Sequence, residues 1–532
     1  MHEIITLQLG HQANYLGTHF WNTQESYFTY TEDATLSPVD HDVHFRPGIG
    51  VGGIETYTPR SLIYDLKGGF GSMRKINALY DQMEETAGGM PQGLWDRGTT
   101  VQREPLIEPI EYQRNLDAGL PAPSLDTPAV RYWSDFNKVF YHPRSSIQIN
   151  EYELNSKVVP FKGFGLGRDL FHQLDKEHDL LDRDFRLFAE ECDQMQGVQI
   201  IMSTDDAWGG FGSEYVAALR DEYSKIAIVT WGLESGDKVP REQDIKRTVD
   251  LAYSLSGIVP LTSLYIPLRS PLPRLPSYVT MDSTSKWHAM GLLSVAMETC
   301  TLPTRIRDND STGFLGRFDD MVTLLNVSGN QKIANLAMSI HQTETEEKAY
   351  DYPSLMPLPQ RVSAPKVELS WESGGTGVGG RKIDNKGHIF AEAEVLRGFS
   401  EEQAMEITAS SSRAHQKTDQ RTAQRKAQLE HDRQDAIIGR YLTPFTYPIV
   451  DSFPNIFAES VLDTSALERP CVSRISTTLT TSSRIISRLK DVKNVVSRVI
   501  GVDEREALLN DLGEFAEAYE EGWNSGSDDD DD

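Results

Sequence analysis

A chain of 532 residues is long enough for two or three domains with sizeable cores. Its make-up, 39% hydrophobic and 25% charged, is that of an ordinary globular protein, and a net charge of −27 argues against nucleic acid, whose phosphates need a basic footprint. Cys192, Cys300 and Cys471 lie far apart with no C-x-x-C pair, which argues against a disulfide framework or structural zinc and for a reducing compartment.

The chain opens on a short apolar strand, 3–9, carrying Ile4, Ile5, Leu7 and Leu9. Gly10 breaks it, and Leu16 and Phe20, four apart, mark a helix over 12–26. This start is neither a signal peptide nor an Arg-rich transit peptide, since Glu3 stands near the front and no arginine precedes Arg46. No stretch approaches the roughly 18 apolar residues of a transmembrane helix. Cytosol, or a membrane face turned to it, is the expected setting. Further strands are predicted at 60–66, 198–203 and 226–231, and helices at 70–85, 182–196 and 213–224. Such alternation implies an α/β fold with a mostly parallel sheet. Residues 86–150 interrupt it with Pro91, Pro105, Pro109, Pro121, Pro123 and Pro128, and read as a long surface excursion.

Residues 351–385 form a second loop-rich zone, with a short strand from Lys366 to Trp371 and the run Ser373-Gly-Gly-Thr-Gly-Val-Gly-Gly380. A polar helix is predicted from Ser400 to Arg440, with Arg413, Lys417, Arg421 and Arg425 on one face. Residues 481–500 form an amphipathic helix with Ile485, Leu489, Val492, Val496 and Val499 on its apolar face. A last helix covers 503–522, and 524–532 is an acidic disordered tail. The expected units are 1–300, 301–470 with its insertion at 351–440, and helices over 471–523.

The order and spacing of several blocks carry a resemblance. Met1-His-Glu-Ile-Ile-Thr-Leu-Gln-Leu-Gly10-His-Gln-Ala-Asn14 through Phe20-Trp21 is similar, without a gap, to the opening of tubulins. Tyr57-Thr-Pro-Arg60 through Asp65-Leu-Lys67 resembles the tubulin Val-Pro-Arg-Ala-x-x-x-Asp-Leu-Glu block, and Glu190-Glu-Cys192-Asp-Gln-Met-Gln-Gly197 resembles Glu-x-Cys-Asp-x-Leu-Gln-Gly. Arg131-Tyr-Trp-Ser-Asp-Phe136, Tyr141-His-Pro-Arg144 and Tyr447-Pro-Ile-Val-Asp-Ser-Phe-Pro454 resemble the Misato family of tubulin-related proteins rather than true tubulins. The resemblance implies a tubulin-like fold: a parallel-sheet nucleotide-type domain, a second α/β domain and C-terminal helices. It also implies a role in mitochondrial distribution and inheritance, with links to the cytosolic chaperonin, tubulin and the spindle.

By the same resemblance the nucleotide site would comprise Gly10, His11, Gln12, Asn14, Asp65, Lys67, Ser203, Asp205, Asp206, Gly209, Gly210 and Gly212. Tubulins carry Gly-Gly-Gly-Thr-Gly-Ser-Gly where this chain has Asp205-Asp206-Ala207-Trp208-Gly209-Gly210-Phe211-Gly212. Glycines let several N–H groups close on one phosphate; carboxylates oppose it. One like-charge contact at about 4 Å costs about 4 kcal/mol at an effective dielectric near 20, and two cancel a micromolar affinity of about 8 kcal/mol. Mg²⁺ between the aspartates and the phosphates is the alternative that would keep GTP bound. Lys67, at the place of a metal-side glutamate, reads either as a stand-in for that charge or as a lysine in a turn. Ala252 falls where a guanine-reading asparagine is expected, and Ile306-Arg-Asp308-Asn-Asp310 replaces the water-activating loop. No catalytic or metal constellation stands out. The leading expectation is a non-catalytic organiser of mitochondrial partitioning, on the cytosolic face of mitochondria and in the cytoplasm, acting through protein partners. GTP with Mg²⁺ stays open as cofactor. The alternatives are an active self-assembling GTPase and a chaperonin-linked tubulin-folding factor.

Overall fold

The computed structural model describes residues 2–29, 37–49, 55–73, 107–307, 316–341, 365–371, 387–400, 436–463 and 470–520. The first strand, β1 (Glu3–Leu9), is buried along its whole length. Ile5, Leu7 and Leu9 face one core and Ile4 the other, so apolar residues in succession make a strand covered on both sides. Gly10 turns the chain at φ +95° into α1 (His11–Glu25). A hairpin, β2 (Phe45–Ile49) and β3 (Glu55–Pro59), leads to β4 (Ser61–Lys67). Then come α2 (Glu111–Asp117), β5 (Ser146–Glu153), α3 (Phe164–His178), the short α4 (Arg186–Glu190) and β6 (Met195–Ser203). The pattern continues through α5 (Ala207–Glu222), β7 (Ala227–Ser235), α6 (Arg241–Ile258), β8 (Leu264–Ser270) and α7 (Lys286–Thr301).

Six parallel strands form one sheet in the order β5-β4-β1-β6-β7-β8. The chain winds one way from β1 to β4 and the other way from β6 onward, so the strand order reverses at β1. In such sheets ligands bind outside the C-terminal strand ends at that reversal. A second, mixed sheet follows α8 (Phe318–Leu325) and contains β9 (Asn335–His341), β10 (Lys366–Glu368), β11 (Ile389–Arg397), β12 (Ile437–Thr443) and, later in the chain, β16 (Arg474–Ser482), with order β10-β9-β16-β11-β12. Three two-residue strands, β13 (Tyr447–Pro448), β14 (Leu462–Asp463) and β15 (Cys471–Val472), precede β16 (Arg474–Ser482). α9 (Ile485–Val499) and α10 (Val502–Glu517) close the described chain. α7 lies between the two sheets and is buried nearly all round, as a core helix must be.

The α/β class and parallel sheet are as read from the sequence. Several local readings are corrected. The helix expected over 182–196 stops at Glu190, and strand begins at Met195, because the Glu3 carboxylate takes the N–H groups of Asp193 (3.3 Å) and Gln194 (2.9 Å) between them. The described part of the supposed surface excursion is superficial only in part: residues 117–121 are exposed, but Trp133, Phe136 and Tyr141 are buried in the core that α1 shares. Residues 471–482, grouped with the C-terminal helices, are strands of the second fold unit. Positions 437–440 of the expected polar helix are strand β12, and Val499 is half exposed rather than on the packed face of α9. Most of helix 70–85, the glycine run 374–380, the basic stripe 413–425, Asp308, Asp310 and the tail 524–532 lie outside the described residues.

Candidate functional site

The cleft at the reversal is built from the ends of β1, β4 and β6 and the first turns of α1, α5 and α7. Asp65, on β4, is fully buried at its floor. Its Oδ2 accepts from Asn14 Nδ2 (3.0 Å) and Trp133 Nε1 (3.0 Å) and lies 3.1 Å from His11 Nδ1. Its Oδ1 accepts the backbone N–H of Leu66 at 2.9 Å. A carboxylate with this many donors has little capacity left for a metal or a bound water. Asn14 also donates to the Tyr64 carbonyl, while its own Oδ1 is buried without a partner.

Trp133 reaches Asp65 because the turn that carries it is tied from within. Asp135 accepts the backbone N–H groups of Arg131 (2.9 Å) and Tyr132 (3.0 Å) and pairs with the Arg131 guanidinium. Arg131-Tyr-Trp-Ser-Asp-Phe136 is therefore a preformed hook aimed at the cleft floor. No spacing rule could join Trp133 to Asp65, 68 positions away. The family likeness of the motif was the only signal.

On the other side stands the loop where a phosphate cradle was expected. Asp206 caps α5 by accepting the Trp208 N–H at 2.8 Å, so the helix starts at Ala207, earlier than the predicted 213. Gly209, Gly210 and Gly212 are then helical, and their missing side chains serve packing. A Cβ on Gly210 would fall 1.9 Å from the Phe164 carbonyl of α3, and one on Gly209 2.2 Å from Ser254 Oγ of α6. A Cβ on Gly212 would meet the Met202 methyl at 2.2 Å, and one on Gly167 of α3 would fall 1.6 Å from the Ala207 carbonyl. Trp208 lies over Gly10: a Cβ there would be 2.7 Å from its indole. Phe161, from the loop before α3, packs edge-on against Trp208 with centroids 5.3 Å apart.

Ser203 is buried at the end of β6, and Asp205 Oδ2 accepts the Ser235 N–H at 2.8 Å. Burial, with Glu234 nearby, pushes the Asp205 carboxyl up to about 6. Burial and Asp205 push Asp206 up to about 7. Lys286 is the first residue of α7 and faces carboxylates of the cleft. Much of its side chain reaches solvent, yet the cleft walls lower its pKa against the pull of Asp65, Asp206 and Asp237. Gln12 sits half-buried on the first turn of α1. Lys67 is the last residue of β4, in register with Glu153, so the turn reading is corrected to strand. Ala252 lies in the core on α6, beneath the C-terminal helices.

The structure thus gathers Gly10, His11, Asn14, Asp65, Ser203, Asp205 and Asp206 at one cleft but assigns the loop glycines to helix packing. These residues do not fit a nucleoside triphosphate with Mg²⁺. An indole stands over the glycine turn, the floor carboxylate is spent on the protein's own donors, and two further carboxylates, Asp205 and Asp206, stand in the loop that would cradle phosphate. Among the described residues no group of three His, Cys, Asp or Glu side chains could hold a metal ion.

Residues 2–118 match the Misato Segment II tubulin-like domain, and residues 122–306 match a tubulin domain. The chain is 45% identical to Protein dml1 of Aspergillus niger over 536 residues, covering 100% of both chains. It is 43% identical to Protein dml-1 of Neurospora crassa and 28% identical to Protein DML1 of Yarrowia lipolytica, again over 100% of each. With a tubulin-like parallel sheet, these two domain matches and full-length relatives of this kind, the chain belongs to the Misato family of tubulin-related proteins.

Proposed function

We propose that this protein is a non-catalytic, tubulin-like organiser that acts in the partitioning of mitochondria and the inheritance of their DNA. The observation that carries the non-catalytic half is the Trp208 indole lying over Gly10 while Asp65 is committed to Asn14, Trp133 and His11. A triphosphate entering there must displace a buried aromatic residue and meet Asp205 and Asp206. The organelle half rests on what the Misato likeness implies. The protein would work at the cytosolic face of mitochondria and in the cytoplasm, through protein partners such as the cytosolic chaperonin or tubulin. No described helix is long and apolar enough to cross a membrane, which fits a peripheral association.

Two experiments test the two halves separately. Titration calorimetry with GTP and Mg²⁺ is expected to give no binding at micromolar concentrations; sub-micromolar binding with turnover would falsify the non-catalytic reading. Cell fractionation with protease treatment of intact mitochondria is expected to recover the protein with the organelle in protease-sensitive form. Recovery with chaperonin alone would move the role to tubulin folding.

A further inference from the structure

At the opposite end of the parallel sheet, where the strands begin, four basic side chains converge. Arg60 precedes β4, Arg46 lies on β2, and His142 and Arg144 sit just before β5. The Phe188 ring of α4 underlies two of them: Arg46 Cζ is 5.9 Å from its centroid, and the His142 ring is 6.3 Å away. Arg60 is 95% buried, since only 5% of it is exposed. Its Nε is buried without a partner, and among the described residues its side-chain hydrogen bond goes to the Cys192 sulfur at 4.0 Å. Among the described residues neither Arg60 nor Arg144 has a carboxylate in ion-pair contact. Arg46 alone is paired, with Glu191 at 2.9 Å. The buried carboxylate nearby, Glu3, accepts the N–H groups of Asp193 and Gln194 rather than pairing with Arg60.

The imbalance is unexpected in a chain with 79 acidic and 52 basic residues. Buried charges are ordinarily paired, and an uncompensated guanidinium is costly. Guanidinium groups bind phosphate oxygens in a planar, bidentate fashion. We infer that Arg60, Arg46, Arg144 and His142 form a binding site for a phosphate group, separate from the cleft. Arg60 is the floor, and Arg46 and Arg144 are the rim. Burial first, and then the charges of Arg46 and Arg144, push His142 down to about 4. An anion would relieve that repulsion and add the imidazolium as a fourth donor. The phosphate could be free or carried on a lipid headgroup; the chemistry recognised is the same.

The test uses the full chain. Inorganic phosphate is titrated against sodium chloride of equal ionic strength, with melting temperature and calorimetry as readouts. Stabilisation by phosphate beyond that by chloride is expected. Arg144→Glu, an exposed position, is expected to keep the melting temperature without phosphate and to weaken binding about tenfold or more. Arg60→Met is expected to abolish binding; if it fails to fold, Arg144→Glu decides alone. Flotation with phosphatidylcholine vesicles, with and without phosphatidate, separates the sources. Phosphatidate-dependent flotation lost in Arg144→Glu assigns a lipid phosphate, and stabilisation by free phosphate without flotation assigns a soluble one. Neither response in the wild type, or an unchanged response in Arg144→Glu, overturns the site.

Discussion

Asp205 and Asp206 carry charge into a place that resists it. Both pKa values lie above the ordinary aspartate value, near 6 and 7, chiefly through burial. The folded state therefore holds protons that the unfolded chain has already lost between about pH 4 and pH 7. Stability from this pair is present at low pH and declines as pH rises through that window. Asp206→Asn keeps the cap on Trp208 and removes the charge. It is expected to raise stability at pH 8 by roughly 1–2 kcal/mol and to flatten the decline, read from melts at pH 5 and pH 8. Trp133 presents the reverse case, a neutral donor serving a buried carboxylate. Trp133→Phe keeps most of the ring volume but leaves Asp65 short of a partner, so a loss of about 1–3 kcal/mol is expected in denaturant unfolding.

Helix α5 shows how one run of glycines can serve two different ends. In a phosphate loop, Gly210→Ala would chiefly weaken ligand binding. Here the added methyl would strike the Phe164 carbonyl at 1.9 Å, and main chain cannot swing aside as a side chain can. The substitution is expected to cost about 3 kcal/mol or more by forcing α3 from α5, with circular dichroism melts as the check. The glycines and their positions were legible in the sequence; their use was not. What decides it is Asp206, whose capping bond winds Ala207 onward into helix. The Misato-like motifs behave similarly. Arg131–Phe136 and Tyr447–Pro454 are 310 or so positions apart, yet both hold α1. Asn22 Nδ2 donates to the Phe136 carbonyl (2.8 Å) and to Ser452 Oγ (2.9 Å), and the His19 ring lies between Phe136 and Phe453. Family likeness singled them out, but only packing shows them to be one clasp around a helix.

Across the whole molecule the two sheets are joined through α7 by buried charge. Glu298 on α7 pairs with Arg305 (2.7 Å) and with Arg397 at the end of β11, and all three are fully buried. Tyr27, following α1, donates to the same carboxylate at 2.8 Å, and Arg397 also donates to the carbonyls of Phe445 and Thr446. Burial opposes the charge on Glu298, but Arg397 and Arg305 prevail and hold its pKa below the ordinary glutamate value. Glu298→Gln would strand two guanidinium groups in the core. A loss of about 3–5 kcal/mol is expected, with unfolding of the second sheet separating from that of the first, seen as two transitions in urea.

By itself the sequence determined the class of the fold. Apolar runs bounded by turns dictate buried strands, and Gly10 marks the end of the first. It also set the acidic character of the loop at Asp205. The tertiary structure alone decided what fills the cleft. Trp208 over Gly10 and Trp133 on Asp65 are contacts between segments far apart in the chain, chosen by shape and by the need of a buried carboxylate for donors. The same holds for the arginines at the far end of the sheet. Nothing in the spacing of Arg46, Arg60 and Arg144 brings them together; the parallel register of β4 and β5 does, with the adjoining hairpin.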